Sequence, residues 1–179
     1  MNAESQRAQG LRDDLRTLYQ EIILDHGKHP RNFRVVEHHT CKAQGNNPMC
    51  GDRVTVTAKV DRGTIADIAF EGKGCAISIA SASMMTDALK GQSLDTARKL
   101  ADAVRDVCTG KDAPAEMEPY LGKLAALSGV RQFPVRVKCA TLPWHALLSC
   151  LDGPPAEGGQ IKTPAEGGQI KKPEATTEK

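Results

Sequence analysis

The sequence predicts an α+β fold in which a small antiparallel sheet packs against several helices. Residues 53–60 alternate apolar and polar side chains with period two, and Asp61-Arg62-Gly63 supplies turn chemistry before a second extended run from Thr64 to Phe70. Apolar residues at helical spacing flank this hairpin on both sides, and each stretch ends at glycine. At 179 residues and 40% apolar content, the chain can bury one substantial core. Aromatics make up only 3%, so that core must be built from Ile, Leu, Val, Ala and Met.

In chain order, residues 1–12 are expected to be a flexible N-terminus, with a helix beginning between Leu11 and Asp14. Leu15, Leu18, Tyr19, Ile22 and Ile23 form its apolar stripe, and Gly27 and Pro30 stop it. Asp25-His26-Gly27-Lys28-His29-Pro30-Arg31-Asn32 follows as an ordered turn, with His26 and His29 read as surface or capping groups. Residues 33–49, including His38, His39 and Cys41, read as a solvated connection, and if Cys41 has a role it is as a second thiol near Cys50. After the hairpin, one helix carries Ile77, Ile79, Ala80, Met84, Met85, Ala88 and Leu89 and ends at Gly91. Its serines Ser78, Ser81 and Ser83 suit close packing better than nucleophilic catalysis, for want of a partnered base. A second helix is capped by Ser93 and runs through Leu100, Val104 and Val107 to Gly110, with Cys108 buried in its last turn. A short helical stretch over 118–127 and a loop over 128–134 lead to a last helix, which takes Pro143 in its first turn and follows Cys139. The folded domain therefore spans 13–152. Residues 153–179 repeat Pro-Ala-Glu-Gly-Gly-Gln-Ile-Lys from Pro155 and from Pro164 in a tract too polar to bury a core, and are expected to be a disordered tail.

Composition narrows the function. The net charge of +2 comes with no basic stripe or stacking surface, which argues against nucleic acid. No apolar run approaches the roughly eighteen residues that span a membrane, and the opening residues lack the charged and apolar regions of a signal peptide. A cytoplasmic location follows as the expectation, and there six cysteines suit metal binding or sulfur chemistry better than disulfides.

Cys50, Asp52, Cys75 and Cys139 form a candidate Cys3Asp metal site. Three thiolates and a carboxylate can close a tetrahedron around zinc. Cys50 and Asp52 lie two apart, so an extended backbone would direct both to one face, with Gly51 adding no side chain between them. Cys75 follows Glu71-Gly72-Lys73-Gly74 and precedes a helix, whose dipole favours a thiolate. A hairpin brings the Cys50–Asp52 end back beside Cys75. The plainer alternative is that such cysteines are small buried hydrophobes.

Four motifs resemble the SufU branch of the IscU-like iron–sulfur assembly family. They are Asp25-His26-x-Lys28-x-Pro30-Arg31-Asn32, Asn47-Pro48-x-Cys50-Gly51-Asp52, the run from Gly72 through Met85, and Phe133-Pro134-x-Arg136-x-Lys138-Cys139-Ala140-Thr141-Leu142-x-Trp144. The resemblance covers about residues 15–150 and implies a sheet of about three strands against several helices. It implies zinc on Cys50, Asp52, Cys75 and Cys139, Cys50 as the acceptor of persulfide sulfur, and Arg136 as a contact for a SufS-type, pyridoxal-phosphate-dependent cysteine desulfurase. A SufBCD-type scaffold would stand downstream. Family scaffolds carry histidine before the third cysteine where this chain has Lys138, and the segment from Cys75 to Cys139 is longer here. Both departures favour sulfur transfer. The alternatives are a scaffold holding a [2Fe–2S] cluster on the same ligands and a zinc-stabilised adaptor without turnover.

Overall fold

A computed structural model describes residues 2–153. The element order is α1 (Ala3–Lys28), β1 (Cys41–Asn47), β2 (Asp52–Asp61), β3 (Thr64–Lys73), α2 (Ala76–Leu89), α3 (Leu94–Cys108), α4 (Glu118–Leu121) and α5 (Pro134–Asp152). Two 3-10 helices, Ala115–Met117 and Gly122–Val130, flank α4. The strands form one antiparallel sheet in the order β1-β2-β3. This is the expected α+β architecture of a three-stranded sheet packed against helices. Among the described residues, no helix is long and apolar enough to cross a membrane. The tail expected over 153–179 lies, beyond Gly153, outside the described residues.

The core is the apolar face of the sheet closed by α2, α3 and α5. Val54, Val56, Ile65, Ile68 and Phe70 meet Met84, Met85, Leu89, Leu100, Leu142, Trp144 and Leu147. The hairpin, α2 and α3 match their periodicities, and Ser93 caps α3 by accepting the Thr96 N–H at 3.1 Å.

Three elements and one cysteine depart from expectation. The first helix starts at Ala3, where the Asn2 side chain accepts the Ser5 N–H at 2.9 Å, and it runs through Gly27 to Lys28. Its apolar stripe is used only at the end: Ile22 and Ile23 pack on the core, while Leu15 and Leu18 stay about half exposed. The segment read as a solvated connection contains β1, whose alternate residues Cys41, Ala43, Gly45 and Asn47 are buried. Small and polar residues hide that alternation, and Gly45 suits the close approach of α5, since a Cβ there would meet Leu142 Cδ1 at 3.0 Å. The last helix begins at Pro134, which leaves Pro143 inside it. Finally, Cys41 is no free thiol beside Cys50: it is bonded to Cys150 in α5, a disulfide where none was expected.

His26 is a further correction. It is buried rather than a surface or capping group, with Nδ1 2.7 Å from Ser83 Oγ, the atom that also accepts the Arg31 N–H at 2.8 Å. Burial, reinforced by Arg31 and Lys123, holds its pKa below the ordinary 6.5. The unfolded chain therefore takes up a proton that the folded one refuses, so stability is full above about pH 6.5 and falls as pH drops below it. Urea unfolding at about pH 7.5 and about pH 5.5 is expected to show a larger loss for wild type than for His26→Gln, and equal losses would contradict the assignment.

Candidate metal centre

The site lies at one end of the sheet, where the β1–β2 turn, the β3–α2 junction and the early part of α5 meet. Asp52 opens β2 and pairs with Asn47, the last residue of β1. Arg53 pairs with Lys73, the last residue of β3, so Cys75 emerges beside Asp52. Cys50 sits in the β1–β2 turn, where Gly51 adopts φ +69°. The backbone is thus a left-handed turn and not the extended stretch expected from the two-residue spacing. The Asn47 carbonyl accepts the Cys50 N–H at 3.3 Å, and its Oδ1 accepts the Met49 N–H at 3.2 Å.

Cys75 is the N-cap residue of α2, as its position before a helix predicted. Asp52 is fully buried and is held from that cap. Its Oδ1 accepts the Cys75 N–H at 2.8 Å, and its Oδ2 accepts the Cys75 thiol at 3.6 Å. Gly74 makes this approach possible, since a Cβ there would lie 2.4 Å from Asp52 Oδ1.

Cys139 comes from α5, within the helix rather than ahead of it. The elements around it fix its height against the sheet. Ser81 of α2 donates to the Ala140 carbonyl at 2.5 Å and accepts from Trp144 Nε1 at 3.1 Å, which ties α2 to α5. Pro143 has no N–H to give the Cys139 carbonyl four residues earlier. The serines of α2 thus act as packing and hydrogen-bonding positions.

Ligand atoms of Cys50, Asp52 and Cys139 lie within 4.8 Å of one another. The Cys139 thiol stands 3.6 Å from Cys50 Sγ, while Cys75 stands outside that mutual group and reaches it through Asp52 alone, its thiol 3.6 Å from Oδ2. Bond lengths of about 2.3 Å to sulfur and about 2.0 Å to oxygen give a zinc tetrahedron edges of about 3.8 Å between sulfurs and about 3.5 Å between sulfur and oxygen. Both 3.6 Å separations are close to those edges, so the chemistry of the donors suits zinc, and closing the full tetrahedron requires Cys75 to draw in toward the other two thiols. Burial pushes the Cys139 thiol up, and Asp52, Cys50 and Cys75 push it further. Acceptors this close together become thiolates readily only when a cation balances them.

Cys50 and Cys75 are exposed, whereas Cys139 is buried. Arg136 stands one helical turn before Cys139, exposed, with its guanidinium 4.7 Å from the centre of the Phe133 ring. Met49, beside Cys50, is 72% exposed, and Lys138 is also exposed. Of the remaining candidates, Cys108 is buried in α3, with its thiol pushed up to about 12 by desolvation. Sequence reasoning missed two parts of the site: Gly74 as the residue that admits Asp52, and Asn47 as the anchor of the Cys50 turn. The glycine run was visible, but what it makes room for was not.

A three-stranded antiparallel sheet backed by helices, with three cysteines and an aspartate gathered at one end, defines an IscU-like protein. The chain belongs to the family of the NifU-like N-terminal domain, whose model matches residues 18–140. It is 46% identical over 134 residues to the zinc-dependent sulfurtransferase SufU of Bacillus subtilis (strain 168), covering 75% of this chain and 89% of that protein. It is 45% identical over 133 residues to the iron–sulfur cluster assembly scaffold protein IscU of Streptococcus pyogenes serotype M1, covering 74% and 82%. Among solved structures, a candidate iron–sulfur cluster assembly scaffold protein for the SUF system from Fervidobacterium islandicum AW-1 superposes with a TM-score of 0.69 at 33% identity, covering 74% of this chain and 95% of that one.

Proposed function

We propose that this protein serves iron–sulfur cluster assembly as a zinc-dependent sulfurtransferase, with Cys50 accepting persulfide sulfur from a SufS-type cysteine desulfurase. The observation that carries this reading is the asymmetry of the cluster. Asp52 and Cys139 are buried and Cys75 is rooted in a helix cap, while Cys50 rides an exposed turn with Cys139 as its thiol neighbour. The name of the Bacillus relative supports it.

In the transfer, the Cys50 thiolate attacks the outer sulfur of the partner's persulfide. The partner's sulfur–sulfur bond breaks, its cysteine leaves as a thiolate, and Cys50 becomes the persulfide. Zinc, held by Cys50, Asp52, Cys75 and Cys139, would keep these thiols deprotonated near neutral pH. Asp52 supplies the harder and weaker donor, so exchange of one ligand can release Cys50 without dismantling the site. Arg136, Phe133 and Met49 would receive the desulfurase, whose pyridoxal phosphate remains its own, and a SufBCD-type scaffold would take the sulfur onward. Such a relay belongs in the cytoplasm.

The scaffold reading keeps one specific support, the nearly equal identity to a relative named as a scaffold. Protein purified without oxygen is expected to be colourless, with one zinc per chain, and to raise alanine production by a purified SufS-type desulfurase. A brown protein carrying iron and sulfide would replace the transfer reading with the scaffold one.

A further inference from the structure

We infer that Cys41 and Cys150 form a second cysteine site, a reversible staple that takes a dithiol reductant or a low-molecular-weight disulfide as its co-reactant and locks the two elements carrying Cys50 and Cys139. The pair is bonded, with Cα atoms 5.2 Å apart and 109 residues between them in sequence. Cys41 is the first residue of β1, and Cys150 lies in the last turn of α5. Beyond its far end, β1 runs into the turn that holds Cys50, and α5 carries Cys139 near its start.

Strand and helix thus lie antiparallel, and three contacts mark their register: Cys41 on Cys150, Gly45 on Leu142 and Ala146, and Cys50 on Cys139. The approach at Gly45 is close enough that a Cβ would meet Ala146 Cβ at 3.3 Å. Six strand residues and eleven helix residues put the disulfide on the order of 16–20 Å from the metal-ligand cluster. The bond therefore fixes one end of a lever whose other end is the site. When it is closed, the register of β1 on α5 is held covalently. When it is open, that register rests on packing and on the cluster alone.

The exchange balances. Two thiols of the reductant give up two electrons and two protons to the Cys41–Cys150 bond, leaving two protein thiols and one disulfide on the reductant. A low-molecular-weight disulfide runs the reaction in reverse. Cys108 does not enter, since it is buried and its thiol is pushed up to about 12. Cys41 and Cys150 are themselves buried, so exchange requires the end of α5 to open locally.

The test uses the full chain loaded with zinc, which holds Cys50, Cys75 and Cys139 as ligands and keeps them out of the exchange. One portion is oxidised with glutathione disulfide and the other reduced with a phosphine. Closing a loop of this length restricts the unfolded chain strongly, so reduction is expected to lower the Tm by about 10 °C. Non-reducing peptide mapping of the oxidised portion should show a fragment joining Cys41 to Cys150. Cys41→Ser and Cys150→Ser, which retain every site cysteine, should lose the redox-dependent gap. Should either variant fail to fold, reduced wild type still supplies the comparison. Absence of the joined fragment after oxidation would overturn the proposal. So would equal melting of the two wild-type portions, or an undiminished gap in the serine variants.

Discussion

Gly74→Ala is expected to weaken metal binding by about 100-fold and to destabilise the fold by about 2–4 kcal/mol. The backbone of Gly74 lies outside the left-handed region, so the added methyl is not strained by φ. The cost comes from what it strikes, Asp52 Oδ1 at 2.4 Å and Ser78 Oγ at 2.8 Å. Neither atom can retreat easily. Ser78 is fully buried and donates to the Cys75 carbonyl at 3.2 Å, and Asp52 is fully buried between β2 and the α2 cap. If the side chain moves, Oδ1 loses the Cys75 N–H, leaving a buried acceptor atom unpaired and the fourth donor misplaced. Competition with a chromophoric chelator would measure the affinity, and chemical denaturation the stability. A double-mutant cycle separates this cause from general overpacking: in an Asp52→Ala background the same methyl should cost less than half as much. Additive effects would mean that Gly74 acts elsewhere.

That prediction depends on a contact which spacing could only hint at. The hairpin was legible because Val54, Val56, Ala58 and Val60 alternate with polar residues around a strong turn, and the two helices after it carry their own caps and glycine stops. Such signals are local. Strand β1 has none: Cys41-Lys42-Ala43-Gln44-Gly45-Asn46-Asn47 contains no β-branched residue, and its state is decided by β2 on one side and α5 on its face. The start of α5 was missed for a related reason. Val135 and Val137 flank Arg136 like a strand, and Pro143 looked like a first-turn proline, although Val137, Ala140, Trp144 and Leu147 already form a helical stripe across it.

The site divides along the same line. Cys50, Asp52 and Cys75 could be brought together from the hairpin alone, because register returns the end of β3 to the start of β2. Cys139 could not, since it reaches the cluster by tertiary packing of α5 on β1, and the sequence offered it only as a further cysteine beside a helix and through the family resemblance. The Cys41–Cys150 bond is the extreme case: no periodicity links residues 109 apart. His26 was misread because a polar residue in a turn is normally solvated, and only Ser83, brought in by α2, makes its burial tolerable.

Cys50→Ala is expected to abolish sulfur acceptance, by more than about 100-fold, while the fold survives. The alternative acceptor is Cys75, which is also exposed, and geometry separates the two. Cys75 is fixed at both ends of its residue: its N–H and its thiol each donate to Asp52, and its carbonyl accepts from Ser78. Moving it would release a buried carboxylate. Cys50 has a single backbone tether, to Asn47, and lies in an exposed turn next to Gly51, which carries no side chain to hold it. A nucleophile that must leave the cluster, meet a partner's persulfide and return is better carried by the second arrangement. The measurement is mass spectrometry of this protein after incubation with the desulfurase and cysteine, with peptides alkylated before digestion. Wild type should carry one extra sulfur on the peptide containing Cys50, and Cys50→Ala none on any peptide. Persistent sulfur on the Cys75 peptide in Cys50→Ala would move the acceptor to the α2 cap. In that case the exposed turn would serve metal binding alone.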